Sequence, residues 1–129
     1  MVIDSSAIFA IVLQEPEREA FLDAILNSND AVIGAPTLFE CRVVALRRGS
    51  DILVAQLQGV LDRLAMRVEA FEQQHERIAA EAYRRYGKGI DRAGLNFGDC
   101  FSYAIAKARN EPLLFKGNDF RLTDISPAL

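Results

Sequence analysis

Tryptophan is absent from this chain, histidine occurs once and cysteine twice. Each shortage removes a class of chemistry. His75 lies in the polar stretch EQQHER, without the orienting context that a Ser-His-Asp hydrolase or a histidine-based nuclease needs, and it reads as a solvated helix residue. Cys41 and Cys100 lack a Cys/His set at metal spacing, so they make no zinc site. In a reducing compartment they are free thiols packed as small hydrophobes. No apolar run approaches the ~20 residues that cross a bilayer. The apolar opening MVIDSSAIFAIVL has no basic cluster before it and contains Asp4, unlike a secretory signal. The expectation is a cytoplasmic protein with no membrane partner. Repeats, low-complexity tracts and linkers are also missing, and the four Pro and eight Gly are scattered.

What is present suits one compact fold. Half of the 129 residues are hydrophobic, enough for a single core, and we expect one domain over residues 1–129. The net charge of −3 speaks against a nucleic-acid partner, but the charge is unevenly spread. From Arg84 to Arg121 there are eight basic residues (Arg84, Arg85, Lys88, Arg92, Lys107, Arg109, Lys116 and Arg121) against four acids, Asp91, Asp99, Glu111 and Asp119. A basic C-terminal third is compatible with phosphate contacts and equally with solvated helix faces.

The hydrophobic pattern alternates between strand and helix. Val2-Ile3-Asp4 reads as a short strand, and AIFAIVL after it as a buried helix. Pro16 stands near the start of a second helix with Ala20, Phe21, Ala24 and Ile25 on one face. Ala31 to Gly34 is a second strand. Pro36-Thr37 opens a helix with Phe39, Val43 and Leu46 at helical spacing, ending near Arg48-Gly49. Ile52 to Leu64 is amphipathic. Met66 to Phe71 alternates as a strand, with Met66, Val68 and Ala70 on one side. A polar helix follows from about Glu72 to Tyr86, then the basic loop KGIDRAG. The next helix runs from about Asn96 to Ala108 with Phe97, Phe101, Ala104, Ile105 and Ala108 as its stripe. Pro112 to Phe115 is a fourth strand and Leu122 to Ile125 a candidate fifth. Such alternation implies an α/β fold with a mostly parallel sheet covered on both faces, and ligands at the carboxyl ends of its strands.

Four acids fall at those ends. Asp4 follows the first strand, where it is either a helix cap beside Ser5 and Ser6 or a ligand. Glu40 stands three residues after Thr37, a capping-box spacing that does not preclude ligation. Asp99 in LNFGDCF begins a helix, where the dipole favours an anion. Asp119 in KGNDF follows the fourth strand and suits a turn. Converging on one rim, the four would repel, by about 4 kcal/mol for a pair ~4 Å apart at an effective dielectric near 20. Such a cluster takes up protons or binds cations. Hard, oxygen-preferring ions, Mg²⁺ or Mn²⁺, are the natural partners, and their usual work is to activate water and neutralise a phosphodiester.

VIDSSA, Glu40, YGKGIDRAGLNFGDCFSYAIAKA and PLLFKGNDF together resemble the PIN-domain (PilT N-terminus) ribonucleases, specifically the VapC toxins of bacterial toxin–antitoxin pairs. The similarity covers essentially the whole chain. It implies a PIN-like three-layer α/β/α domain with a central sheet of four to five strands. Asp4, Glu40 and Asp99 become the core metal-binding acids, Asp119 the fourth, and Ser6 a supporting hydroxyl. The implied reaction is endonucleolysis of single-stranded RNA by metal-activated water, leaving a 5′-phosphate and a 3′-hydroxyl; transfer RNA is a common substrate. The implied partners are a VapB-type antitoxin, whose C-terminal segment sends a basic side chain into the acidic pocket, and a second copy of the chain in a homodimer. The apolar surface of the first four helices is the expected docking ground. Many relatives carry a Thr and a further acid where this chain has Phe115, Lys116 and Gly117, a form shared by a subset. Lys116 is thus a candidate phosphate contact or a neutralising charge for the empty cluster. With Lys88 and Arg92 of the basic loop it makes up the expected RNA-binding set.

Three other readings compete for an α/β chain of this length. A phospho-acceptor receiver domain wants adjacent acids after its first strand and an Asp ending its third, and neither is here. A catalytically inactive PIN-fold module binding RNA or protein would not need all four acids. A housekeeping PIN nuclease in RNA processing would share the chemistry and differ in biology.

Overall fold

The computed structural model describes residues 1–49 and 51–129. Four short strands, β1 (Val2–Ile3), β2 (Val32–Gly34), β3 (Arg67–Glu69) and β4 (Leu113–Leu114), form one sheet in the order β3-β2-β1-β4, every pair parallel. The helices are α1 (Ser5–Val12), α2 (Arg18–Leu26), α3 (Ala35–Arg47), α4 (Asp51–Leu64), α5 (Gln73–Tyr86) and α6 (Phe97–Arg109). Val2 pairs with Val32 on one side and Leu113 on the other, and Ile3 pairs with Leu114. Successive side chains point to opposite faces of the sheet. Accordingly Ile3, Ile33 and Leu114 enter a core with α1, α2, α3 and α4, while Val2, Val32 and Leu113 enter a second core with α5 and α6. The central strands are apolar at every position because both faces are covered. This is the expected three-layer arrangement. None of the helices among the described residues is long and apolar enough to cross a membrane.

The expected fifth strand does not form. Phe120–Leu122 is a 3-10 turn, and among the described residues the tail pairs with the sheet through one isolated bridge, between Pro127 and Leu113. Thr123 diverts the chain: its hydroxyl donates to Phe120 O at 2.7 Å and accepts from Ile125 N–H at 3.2 Å. These local bonds replace a ladder.

Helix faces depart from the simple stripes. In α3 the buried residues are Thr37, Cys41 and Ala45, whereas Phe39 is 68% and Leu46 65% exposed. The helix packs against α1, α4 and α6, and short side chains permit that close approach where Phe39 and Leu46 would not. In α6 the core takes Cys100, Tyr103 and Ala106 together with Ala104 and Ile105, leaving Phe97 76% exposed and Ala108 at the surface. That helix touches the sheet, α3 and α5, so most of its girth is buried. In α2 Leu22, not Ala20, joins Phe21 and Ile25 inside. β3 is an edge strand, with Val68 and Ala70 exposed.

His75 is the largest departure. It is buried, not solvated. Its Nδ1 accepts the Glu72 backbone N–H at 2.9 Å, and its ring lies 5.6 Å from that of Phe71. The polar neighbours in sequence point outward while this one side chain closes the first turn of α5, satisfying an N–H the helix itself cannot.

Candidate active site

All four strands are parallel, so their carboxyl ends share one rim, and the chain leaves β1, β2 and β4 there toward α1, α3 and the Phe115–Asp119 loop. Asp4 stands at this rim as the N-cap of α1 and is 2% exposed. Its Oδ2 accepts from Ser6 N–H at 2.9 Å and from the Ser6 hydroxyl at 2.6 Å. Capping uses that oxygen alone. Oδ1 is buried and has no hydrogen-bond partner, a costly state for a carboxylate.

Glu40 lies in the second turn of α3, because the helix begins at Ala35 rather than at Pro36-Thr37. The expected capping box is absent: the N-cap is Gly34, and Thr37 bonds to Ser102 of α6, Oγ to Oγ, at 3.2 Å. Glu40 is therefore free of that structural duty. Its Oε2 is buried without a partner. Burial pushes the carboxyl above its ordinary range and the charge of Asp4 adds to this, while a hydrogen bond from Ser5 opposes.

Asp99 is the third residue of α6 and forms the capping box the sequence reading missed. Its Oδ2 accepts Asn96 N–H at 2.7 Å, and its own N–H donates to Asn96 Oδ1 at 3.0 Å. Its carboxyl is pushed up to about 7, chiefly by burial; the Asn96 N–H opposes, and Asp4, Asp119 and Glu40 add to the rise. Asp4, Glu40 and Asp99 thus sense one another across three elements, and Asp119, exposed before the 3-10 turn, reaches Asp99 from the rim. Gly98 joins two of these elements. A Cβ on it would meet Glu40 Oε1 at 2.5 Å and Cδ at 2.9 Å, so the first turn of α6 rests directly on the Glu40 carboxylate. A glycine inside a helix lowers helix propensity, and that was the one signal in the sequence. Cys41 registers the same field: burial, then Asp4 and Glu40, push its thiol up to about 12, and Cys100 reaches about 11 through burial and Asp99.

The basic residues are largely spoken for. Arg84 pairs with Glu81, Arg85 and Lys107 with Asp124, and Arg109 with Asp30, Glu69 and Glu111. Lys116 Nζ is turned to Glu15 and Glu17 rather than to the acids of the rim. Lys88 and Arg92 are exposed on the loop before α6, and among the described residues neither has an ion-pair partner.

Three buried or half-buried acids from three segments thus stand on the carboxyl rim of a parallel sheet. The PIN domain pattern matches residues 1–125. This chain belongs to the PIN-domain family. Within it, the chain is similar to the Ribonuclease VapC of Mycolicibacterium smegmatis, 42% identical over 126 residues and 98% of each chain. It is 38% identical over 130 residues to Ribonuclease VapC28 of Mycobacterium tuberculosis, covering all of this chain and 98% of the other. Membership of the VapC ribonucleases follows. Solved PIN folds agree: Mycobacterium tuberculosis VapC20, described as a sarcin-ricin loop cleaving toxin, superposes with a TM-score of 0.71 at 20% identity over 98% of both chains. VapBC-5 of the same organism, a member of the VapBC family of toxin–antitoxin systems, gives 0.69 at 23% identity over 98% of this chain and 92% of the other.

Proposed function

We propose that this VapC-family PIN domain, read as a single unit over residues 1–129, is the toxin of a toxin–antitoxin pair and hydrolyses single-stranded RNA. Its site is Asp4, Glu40 and Asp99, with Asp119 at the rim and Ser6 in support. The observation that carries the reading is the pair of buried, partnerless oxygens, Asp4 Oδ1 and Glu40 Oε2, beside a carboxyl lifted to about 7. Oxygens in that state suit a hard divalent cation, Mg²⁺ or Mn²⁺. Among the described residues no three His, Cys, Asp or Glu side chains stand together as a ready ligand set. In this reading a bound cation would draw the carboxylates together against their mutual repulsion.

Once bound, a divalent ion at this site lowers the pKa of water and offsets the charge of the phosphodiester. The chain's own residues do the rest. Ser6 fixes Asp4 through Oδ2 and leaves Oδ1 for the cation, and Glu40 is braced on Gly98. Asp99 is held at the first turn of α6, whose N–H dipoles favour its ionised form once a cation replaces its proton. Lys88 and Arg92, exposed on the loop before α6, are the residues to contact RNA phosphates in this reading; neutralising both should lower the salt slope of RNA binding by about 1.4, at roughly 0.7 per charge for a single strand. An unchanged slope removes them from the substrate path. A cytoplasmic location belongs to the same reading, and the exposed Leu13 at the end of α1 with Leu26, Phe39, Leu46 and Ile52 of α2, α3 and α4 supply apolar surface for an antitoxin of VapB type and for a homodimer.

The test is cleavage of a single-stranded RNA by purified protein in Mg²⁺, Mn²⁺ or EDTA. Cleavage with either metal, none in EDTA and 5′-phosphate ends are expected. Equal cleavage by Asp99→Asn refutes the site. A folded wild-type protein that neither cuts RNA nor gains stability from metal is the inactive module instead.

A further inference from the structure

One cation ties the loop after β4 to the segment between α1 and α2. Lys116 Nζ lies 2.9 Å from Glu15 Oε2 and 3.2 Å from Glu17 Oε2, with the three side chains 33% to 41% exposed. The backbone of Lys116 makes a second tie. Its N–H donates to Ser6 Oγ at 2.9 Å, so the Ser6 hydroxyl proton is left to donate to Asp4 Oδ2, at 2.6 Å. The run of contacts therefore goes from Glu15, hydrogen-bonded to Lys116, and Glu17, ion-paired to it, through that lysine and one serine to the carboxylate whose other oxygen is buried and unpaired. Asp119 stands on the same loop, two residues beyond Gly117, which has a φ of +104° and no neighbour within 4 Å of a Cβ position. The loop's other anchors are the buried Phe115 and Phe120 at its two ends, with rings 5.0 Å apart.

We propose that Glu15, Glu17 and Lys116 form a latch that sets the position of the Phe115–Asp119 loop. Through the Lys116 N–H and the Ser6 hydroxyl it also fixes Asp4 for the divalent cation of the site. Lys116 and the two glutamates are positioning residues in this assignment, and none of them touches the ion. The inference rests on the metal site described under Proposed function. It differs from a charge effect in sign. A lysine acting through space repels a nearby cation, so its loss would tighten metal binding. A lysine acting as a latch orders the ligands, so its loss loosens binding. Partly exposed ion pairs add little to global stability, and the effect is local to the site.

Calorimetric titration of Mn²⁺ into the whole metal-free protein tests this, with thermal melts in EDTA to confirm folding. E15Q/E17Q and K116M should each weaken Mn²⁺ binding about three- to tenfold, short of the roughly 10–100-fold lost with a direct outer-shell partner. Combining them should cost little more than either, as expected for residues acting as one unit. K116R should restore most of the affinity. Tighter binding by K116M, or unchanged binding by E15Q/E17Q, overturns the latch. Should K116M melt below the working temperature, E15Q/E17Q and K116R carry the comparison. D99N run alongside separates the two failures: if it binds Mn²⁺ as wild type does, the metal site itself is misassigned, whereas loss in D99N with unchanged latch variants refutes the latch alone.

Discussion

Asp99→Asn should make the metal-free protein more stable while removing its nuclease activity. The Asp99 carboxyl stands at about 7 against an ordinary 3.8, through burial first and the charges of Asp4, Asp119 and Glu40 in addition. At about 1.4 kcal/mol per pH unit, keeping that group ionised above pH 7 costs the fold at most about 4 kcal/mol. The sign follows from proton counting. Between about pH 4 and pH 7 the folded state holds a proton that the unfolded chain has released, so stability falls as pH rises through this window and levels off beyond it. Asparagine has nearly the same shape, accepts the Asn96 N–H through its amide oxygen and carries no charge. Urea denaturation of both proteins in EDTA should show the variant ahead by about 1–2 kcal/mol near pH 5, growing to about 3–4 kcal/mol near pH 8. Added Mn²⁺ at about 1,000 times its dissociation constant should erase the variant's lead near pH 8, because it stabilises wild type by roughly 4.1 kcal/mol and the variant far less. A variant less stable than wild type at pH 8 in EDTA, or an advantage that does not change with pH, refutes the electrostatic account of the site.

Gly98→Ala should leave stability within about 1 kcal/mol of wild type, since its Cβ meets only the mobile end of Glu40, yet lower RNA cleavage about tenfold or more by displacing that carboxylate; a fully active variant would show that Glu40 need not sit where it does. His75→Ala should cost about 2 kcal/mol in urea melts, through the unpaired Glu72 N–H and the emptied space beside Phe71, with cleavage per folded molecule unchanged. Thr37→Val should cost about 1 kcal/mol by leaving Ser102 short of its partner; a neutral result means that the Ser102 hydroxyl is satisfied within its own helix.

The strands could be read from sequence because Val2-Ile3, Val32-Ile33 and Leu113-Leu114 are apolar at every position, the mark of a sheet covered twice. Three of the rim acids could be read because Asp4 and Asp119 follow strands and Asp99 opens a helix, while Glu40 lies one turn inside α3. Helix faces were less legible. Periodicity assigns a stripe to the core by size and hydrophobicity, so it chose Phe39 and Leu46; the close packing of α3 chose Thr37, Cys41 and Ala45. The roles of Asp4, Glu40 and Thr37 were each ambiguous, because one local pattern describes a cap and a ligand alike. Geometry separates them by oxygen: Asp4 caps with Oδ2 and keeps Oδ1, while Thr37 bonds to Ser102 and releases Glu40. His75 was misread for the opposite reason, since a hydrophilic run says nothing about which of its members turns inward. The Lys116 contacts join segments about a hundred residues apart and leave no local trace at all.

Cys41 and Cys100 sit behind the acid cluster with thiols pushed up to about 12 and about 11. Near neutral pH burial keeps both thiols protonated, and the thiolate is the form that peroxide and alkylating reagents attack. The nuclease should therefore keep working through an oxidative burst that silences thiol-dependent enzymes around it. For the bench the same property is a convenience. A single cysteine introduced at an exposed helix position will take a maleimide dye selectively, with both native thiols left in place and the active site unaltered.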